Sequence, residues 1–459
     1  MNFCQKLPLF FAYLSLICIA SCSTIKLDKQ DVMATLTPEF WEQQQNEIEH
    51  PSFTWRDFED SKLKELTELA LTNNPDIYSI VLAIQSADLA TKEQEANNGI
   101  NYNIEARTGI NKTRKDDKQT NYALNANTSY EIDFWNKKTD KLAIAELNVL
   151  SQKILLKTAR ISLTSSIAET YFTVRLQDKQ LDFQRATLTE LEHQKEMLLA
   201  RKKAGIITSL EINNQDVEIQ TVKARIEDLT SQRIVSELTL GNLLGLPPHQ
   251  FSLAPRANFI FPAQLLTAET PSQVLRHRPD IQLAEAKLQS AYKTFDLTRK
   301  SLYPNITLTA NSGFASNALS DLLKNNALNW TLGADIIYTL LDTGTRERNI
   351  QQAKINAELQ LNDYRKVILN ALKDVESALA SQASGKRQLD IAKLRLKAQQ
   401  RLTFETQERY KYGSVSAFNV SIQKRILISE QENLLQQQLT NVRSSILLLK
   451  ALGVDPEEV

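Results

Sequence analysis

Slid against itself by about 208 positions, the sequence meets the same landmarks a second time, so the chain must fold as two copies of one unit. Tyr130 answers Tyr338, Ala204-Gly205 answers Tyr412-Gly413, and Leu244-Gly245 answers Leu452-Gly453. Asn74-Pro75-Asp76-Ile77 answers Arg278-Pro279-Asp280-Ile281 at a slightly shorter offset. Pro247, Pro248, Pro255, Pro262 and Pro271 crowd the seam, which excludes helix and suits an extended connector along the outside. The expected organisation is a first repeat over residues 62–246, a proline-rich connector over 247–270, a second repeat over 271–453 and a tail over 454–459.

Each half shows one order: a helix, two short alternating stretches, a very long helix, a Gly-marked break and another long helix. Periodicity predicts helices over about Lys62–Asn97, Lys137–Lys203 and Ser209–Leu246, then over about Pro271–Leu302, Gly344–Lys411 and Ser416–Leu452. Only 11 Gly and 12 Pro in 459 residues fit long helices better than a loop-rich enzyme. Ile154, Ile161 and Ala168 fall at heptad spacing, and Ile368, Leu372, Val375 and Leu379 follow a similar stripe, so both rods want helical neighbours. At 1.5 Å per residue, roughly 65 residues make a rod on the order of 100 Å. Asn213, Asn214, Gln215 and Gln220 would face either a watery lumen or the outer solvent.

Between the first two helices of each half the period drops to two. Tyr122, Leu124, Ala126, Thr128 and Tyr130 alternate with Asn121, Ala123, Asn125, Asn127 and Ser129. A weaker strand near Tyr102–Ile110 precedes them, joined by a charged turn at Lys112–Lys118. Ile306, Leu308 and Ala310, then Trp330, Leu332, Ala334, Ile336 and Tyr338, repeat the pattern. A water-soluble hairpin would alternate in the same way, but the aromatic ends and lengths also fit transmembrane barrel strands. Two hairpins are too few to close a barrel, and open edges cannot sit in lipid, so chains must associate. Two chains supply about eight strands and three about twelve, and both are physically allowed.

Lys6 precedes an apolar run from Leu7 to Ala20 that ends Ile19-Ala20-Ser21-Cys22, which reads as a signal peptide over residues 1–21. The ending resembles a lipobox, with acylation of Cys22 and an extended lipidated segment over 22–61; ordinary cleavage after Ala20 is the alternative. Ser23 in place of Asp resembles outer-membrane lipoproteins. Cys4, Cys18 and Cys22 all lie here, so a chain starting at Cys22 has no disulfide and no thiol metal site. Lys plus Arg (54) equals Asp plus Glu (54), so nothing favours nucleic acid. His50, His193, His249 and His277 lack ligand spacing, and no phosphate loop or nucleophile elbow occurs; the expectation is a non-enzyme without cofactor or metal, bearing only the lipid on Cys22.

Ser129-Tyr-Glu-Ile-Asp-Phe-Trp135, Pro271-Ser-Gln-Val-Leu-Arg-His-Arg-Pro-Asp-Ile281, Asp374-Val-Glu-Ser-Ala-Leu379 and Arg409-Tyr-Lys-Tyr-Gly413 resemble, in order and spacing, the motifs of TolC-like outer-membrane efflux proteins. The likeness is to the lipoprotein branch that includes OprM. It implies a mainly α fold with a small β part: a long-helix α-barrel continuous with a transmembrane β-barrel of about twelve strands, assembled as a homotrimer with two repeats per chain. It further implies a passive exit duct for drugs or other small molecules, fed by a periplasmic adaptor and an inner-membrane pump, with an RND-type pump expected first. Competing readings are the outer-membrane duct of type I protein secretion and a periplasmic coiled-coil scaffold lipoprotein.

By the same resemblance, Ala204, Gly205 and Ile206 and their counterparts Tyr412, Gly413 and Ser414 are tip turns that meet the adaptor. Glu211 and Tyr410 are expected to pair as a latch across neighbouring helices. Asn419 and Ile422 stand where the family narrows its lumen with Asp, and Val415 where it carries a latch Arg, which argues against an anionic iris. Asn136 and Thr339 replace the family's Gly and Pro near the barrel-to-helix transitions.

Overall fold

The structure is a computed structural model and describes residues 33, 35–39, 41, 42, 55–58, 60–112, 118–256, 259–262 and 271–456. Cys22, His50, most of the expected lipidated segment, part of the Lys112–Lys118 turn, part of the connector and the last three residues lie outside them. Met1–Pro38 and Glu39–Val459 form separate units. In the first, the Thr37 N–H and hydroxyl both donate to the Met33 carbonyl and close a helical turn.

In chain order the elements of the second unit are α1 (Ser61–Asn73), α2 (Pro75–Asn98), β1 (Asn101–Lys112), β2 (Lys118–Glu131), α3 (Lys137–Lys203), α4 (Ser209–Leu243), α5 (Pro271–His277), α6 (Pro279–Lys300), β3 (Asn305–Ser316), β4 (Leu328–Ile337), α7 (Thr345–Lys411) and α8 (Ala417–Leu452). The fold is mainly helical with one small sheet. Among the described residues, no helix is long and apolar enough to cross a membrane.

Two expected helices are each broken in two. Lys62–Asn97 splits at Asn74 (φ −67°, ψ 125°) and Pro271–Leu302 splits at Arg278 (φ −64°, ψ 125°). Both residues precede a proline, whose ring drives its neighbour out of the helical region, and both prolines then open a new helix. Asn74 also caps α2 by accepting from the Asp76 and Ile77 N–H groups. α4 stops at Leu243 rather than Leu246, because Gly245 takes φ 72° and packs so close to Asn73 that a Cβ would meet its carbonyl oxygen at 2.4 Å.

α3 and α7 are 67 residues each. Ile154, Ile161, Ala168, Ile368, Val375 and Leu379 are all buried, so the heptad stripes face their neighbours. Near the sheet the helices pack in the order α2–α3–α6–α7, and the strands run β1–β2–β3–β4, so each helix continues the strand beside it. Further along, α4 packs on α3, α8 on α3 and α8 on α7.

The core gathers midway along the rods. Phe172 of α3 lies against Phe58 (5.6 Å between centroids) and Phe259 (6.0 Å), and Phe259 meets Phe261 edge-on at 5.2 Å. Leu439, Val442, Ile446 and Leu449 of α8 complete it. Fully burying each such side chain contributes about 1.5–3 kcal/mol. The described part of the connector is extended and keeps Ala254, Pro255 and Ile260 exposed, while Leu253, Phe259 and Phe261 turn inward and are buried in this core. A buried ion cluster holds it there. Arg233 pairs with Asp178 at 2.6 Å and Glu237 at 2.7 Å, and Arg175 with Asp178 at 2.9 Å. The same arginines donate to the Leu253 and Ala254 carbonyls at 2.6 and 2.8 Å.

Candidate functional site

The four strands are antiparallel throughout, and in every pair even-numbered residues face even-numbered ones. Side chains alternate across a strand, so one face of the whole sheet carries Tyr102, Ile104, Leu124, Tyr130, Leu308, Phe314, Trp330, Leu332 and Ile336. The opposite face carries Asn103, Asn125, Asn127, Asn311, Thr307, Thr309 and Asp335. The apolar face is bare: Ile104 is 82 % exposed, Leu332 73 % and Trp330 70 %. Both outer edges, β1 and β4, are unpaired among the described residues.

Where the sheet turns into rods, Asn136 takes the left-handed conformation (φ 55°), a geometry that glycine adopts without steric cost. Lys138 sits over the Tyr130 ring at 5.2 Å and Arg346 over the Tyr338 ring at 5.6 Å, a cation from each long helix on the last Tyr of each hairpin. Thr339 accepts from the Arg346 guanidinium.

At the far end, α3 ends in a Schellman turn in which the Gly205 N–H donates to the Lys202 carbonyl (2.9 Å) and the Ile206 N–H to the Arg201 carbonyl (3.0 Å). α7 ends identically through Gly413 on Tyr410 (3.0 Å) and Ser414 on Arg409 (2.9 Å). Gly205 at φ 72° and Gly413 at φ 71° make this possible, and a Cβ on either would meet open space, so the constraint is conformational and not steric crowding. Thr208 and Ser416 then cap the next helices. Ala204, Gly205, Ile206, Tyr412, Gly413 and Ser414 are all exposed, Ile206 at 70 % and Tyr412 at 83 %.

Within one chain the structure does not bring Glu211 and Tyr410 together. Glu211 accepts from the Thr208 hydroxyl at 2.5 Å, which holds its carboxyl below the usual range. Thr208 is the N-cap of α4 and accepts from the Leu210 N–H at 3.2 Å, so the Thr-x-x-Glu spacing sets the Glu211 carboxylate over the cap hydroxyl. The Tyr410 hydroxyl accepts from Arg201 instead, and the guanidinium lies 5.5 Å from the ring centre. Arg201 carried no periodicity or motif signal. Asn419 is exposed and donates its N–H to the Ser416 hydroxyl at 3.3 Å. Gln215, expected on a watery face, is buried and donates to the Leu191 carbonyl at 2.7 Å, while Asn213, Asn214 and Gln220 are exposed. Among the described residues no group of three or more His, Cys, Asp or Glu side chains is placed to hold a metal.

The profile of the outer membrane efflux protein family matches residues 66–246 and 270–454. The pyoverdine export outer membrane protein OpmQ of Pseudomonas aeruginosa is 27 % identical over 411 residues, 87 % of this chain and 86 % of that one. The probable outer membrane lipoprotein SilC of Salmonella typhimurium is 26 % identical over 406 residues, 87 % of each chain. The open state of the Neisseria gonorrhoeae MtrE outer membrane channel superposes with a TM-score of 0.82 at 22 % identity, covering 92 % of this chain and 97 % of that one.

Proposed function

The chain belongs to the outer membrane efflux protein family, and from that membership we propose that it is one of three copies forming a passive exit duct for drugs or other small molecules. It is an outer-membrane channel protein and not an enzyme. The observation that carries the assembly is the sheet: an apolar face, an Asn- and Thr-rich face and two unpaired edges. Lipid requires closure, and β4 of one copy beside β1 of the next supplies it. Three copies give about twelve strands, enough for a watery lumen lined by the polar face.

The duplicated element order, with glycines at equivalent helix ends, reads as two structural repeats over residues 62–246 and 271–453, and the α2–α3–α6–α7 layer as one third of a helical barrel continuing the strands. Ala204, Gly205, Ile206, Tyr412, Gly413 and Ser414 form the surface for a periplasmic adaptor, supported by the exposed apolar side chains there. The adaptor links the duct to an inner-membrane pump of the RND type, which supplies the energy. Glu211, Tyr410 and Asn419 lie at the constricted tip, with Arg201 as the partner of Tyr410 inside one chain. A lipid on Cys22 anchors the chain to the outer membrane, a reading supported by the lipoprotein SilC.

The test is reconstitution. Detergent-extracted protein should run as a trimer and conduct ions across planar bilayers; a detergent-free soluble monomer without conductance refutes the reading. Tyr410→Ala should raise conductance, and Cys22→Ser should abolish acyl labelling.

A further inference from the structure

The helical layer α2–α3–α6–α7 has two free sides, and each carries an uncovered apolar stripe. α2 buries Ile77, Ala87 and Thr91 where it packs on α3, and α7 buries Ala357 and Tyr364 where it packs on α6. At about 100° of turn per residue, Tyr78, Leu82 and Leu89 fall on the opposite side of α2, and Ile355, Leu359 and Leu369 on the opposite side of α7. All six are exposed.

A template for covering them exists inside the chain, where α3 meets α6. There Asp140, the fourth residue of α3, pairs with Lys293 of α6 at 3.1 Å and also with Lys300. One repeat later, 208 positions on, the fourth residue of α7 is Arg348. The helix that corresponds to α6 is α2, which ends at Asn98 beside the sheet and carries Glu93 five residues before that end. Glu93 and Arg348 therefore lie at one level, roughly 5–8 Å from the sheet-side ends of their helices at 1.5 Å per residue. Leu82 and Leu359 each stand eleven residues further from the sheet, so they share a level too. Arg348 is exposed and donates to its own turn, to the Thr343 carbonyl at 3.1 Å and the Thr345 hydroxyl at 3.3 Å. Glu93 is exposed and has no ion-pair partner among the described residues.

We propose that α7 of one copy packs antiparallel on α2 of the next, with Leu359 and Ile355 against Leu82 and Leu89, and with an Arg348–Glu93 ion pair whose charges are reversed relative to Asp140–Lys293 inside the chain. The apolar rows supply the affinity, because an exposed ion pair contributes little beside buried apolar area. The charges choose the partner edge. Copies that share one membrane orientation would, on pairing two like edges, set Arg348 against Arg348 or Glu93 against Glu93 at the same level, and facing like charges select against both. Only unlike edges are complementary. The inference rests on the proposed trimer and adds which side chains join its copies.

Full-length protein in detergent decides it. All three native cysteines lie at or before Cys22, so Glu93→Cys with Arg348→Cys puts the only thiols of the rods at the seam. A short bis-maleimide should then join chains into covalent trimers on denaturing gels, which neither single substitution should give; Leu82→Cys with Leu359→Cys reads the same seam from its apolar row. Glu93→Arg and Arg348→Glu should each lower the temperature at which the trimer dissociates by several degrees, and the two together in one chain should return it to the wild-type value. A trimeric wild type in which neither cysteine pair crosslinks overturns the seam, and a double reversal as labile as the single ones overturns the ion pair. A wild type that is monomeric overturns the trimer reading instead.

Discussion

The two halves of the chain share their backbone devices and differ in what those devices hold. Asn74 donates to the Leu243 carbonyl at 2.9 Å, and Arg278, its counterpart, donates to the Ala451 carbonyl. Gln215 meets Leu191 at the crossing of the first pair, and Gln399 donates to Gln423 at 2.8 Å in the second. The divergence comes where the connector leaves. The first pair grips that strap with the buried Arg175 and Asp178 and the partly buried Arg233. At the matching level the second pair has Gly385, Asn441, Ser444 and Ser445, where no connector is gripped among the described residues, and its helices approach through small side chains. The same backbone devices recur in both halves, while the side chains around them follow different surroundings.

Breaking the grip tests this most severely. Asp178→Ala leaves the buried Arg175 guanidinium without its carboxylate and Arg233 with Glu237 alone, and removing one partner of a buried ion pair costs about 3–5 kcal/mol. Denaturant unfolding of the variant should show that loss, whereas Asn441→Ala at the ungripped level should stay under about 1.5 kcal/mol. Next come the tips: Gly205→Ala and Gly413→Ala each force an L side chain into the left-handed region at about 1–2 kcal/mol, and equal losses at both would sharpen the claim that the turns are equivalent. Gly385→Ala should act in the opposite sense. The nearest atom, the Ser444 hydroxyl oxygen, is 3.6 Å from a built Cβ, so helix propensity should add about 0.5–1 kcal/mol of stability. Smallest are Tyr130→Leu and Tyr338→Leu, each taking the ring away from Lys138 or Arg346 and with it a cation–π contact of about 0.5–1 kcal/mol, read as matching small shifts in melting temperature.

Period, spacing and glycine made the long rods legible, because α3 and α7 have ends set by local chemistry: Lys203 and Lys411 both precede a Schellman glycine. Alternation likewise placed the strands, and the structure added the register that gathers one parity onto one face. The breaks at Asn74 and Arg278 are written in the proline that follows each, yet helical periodicity continues across both and hides them. Two things were not readable. The connector's burial depends on Asp178 and Arg233 meeting it from distant parts of the chain, Asp178 and Arg256 being 78 residues apart, and no local pattern encodes that. The partner of Tyr410 depends on which of several cations near a tip lies closest, a matter of helix rotation that places Arg201 beside it.

The sheet's two unlike margins have a genetic consequence. Each copy in the proposed ring offers β1 to one neighbour and β4 to the other, a head-to-tail contact that closes only when every member is sound. A subunit with a ruined β4 margin still docks through β1 and spoils the ring it enters. Equal co-expression with the intact chain should leave about one ring in eight competent, so such alleles behave as dominant even though the lesion is a simple loss.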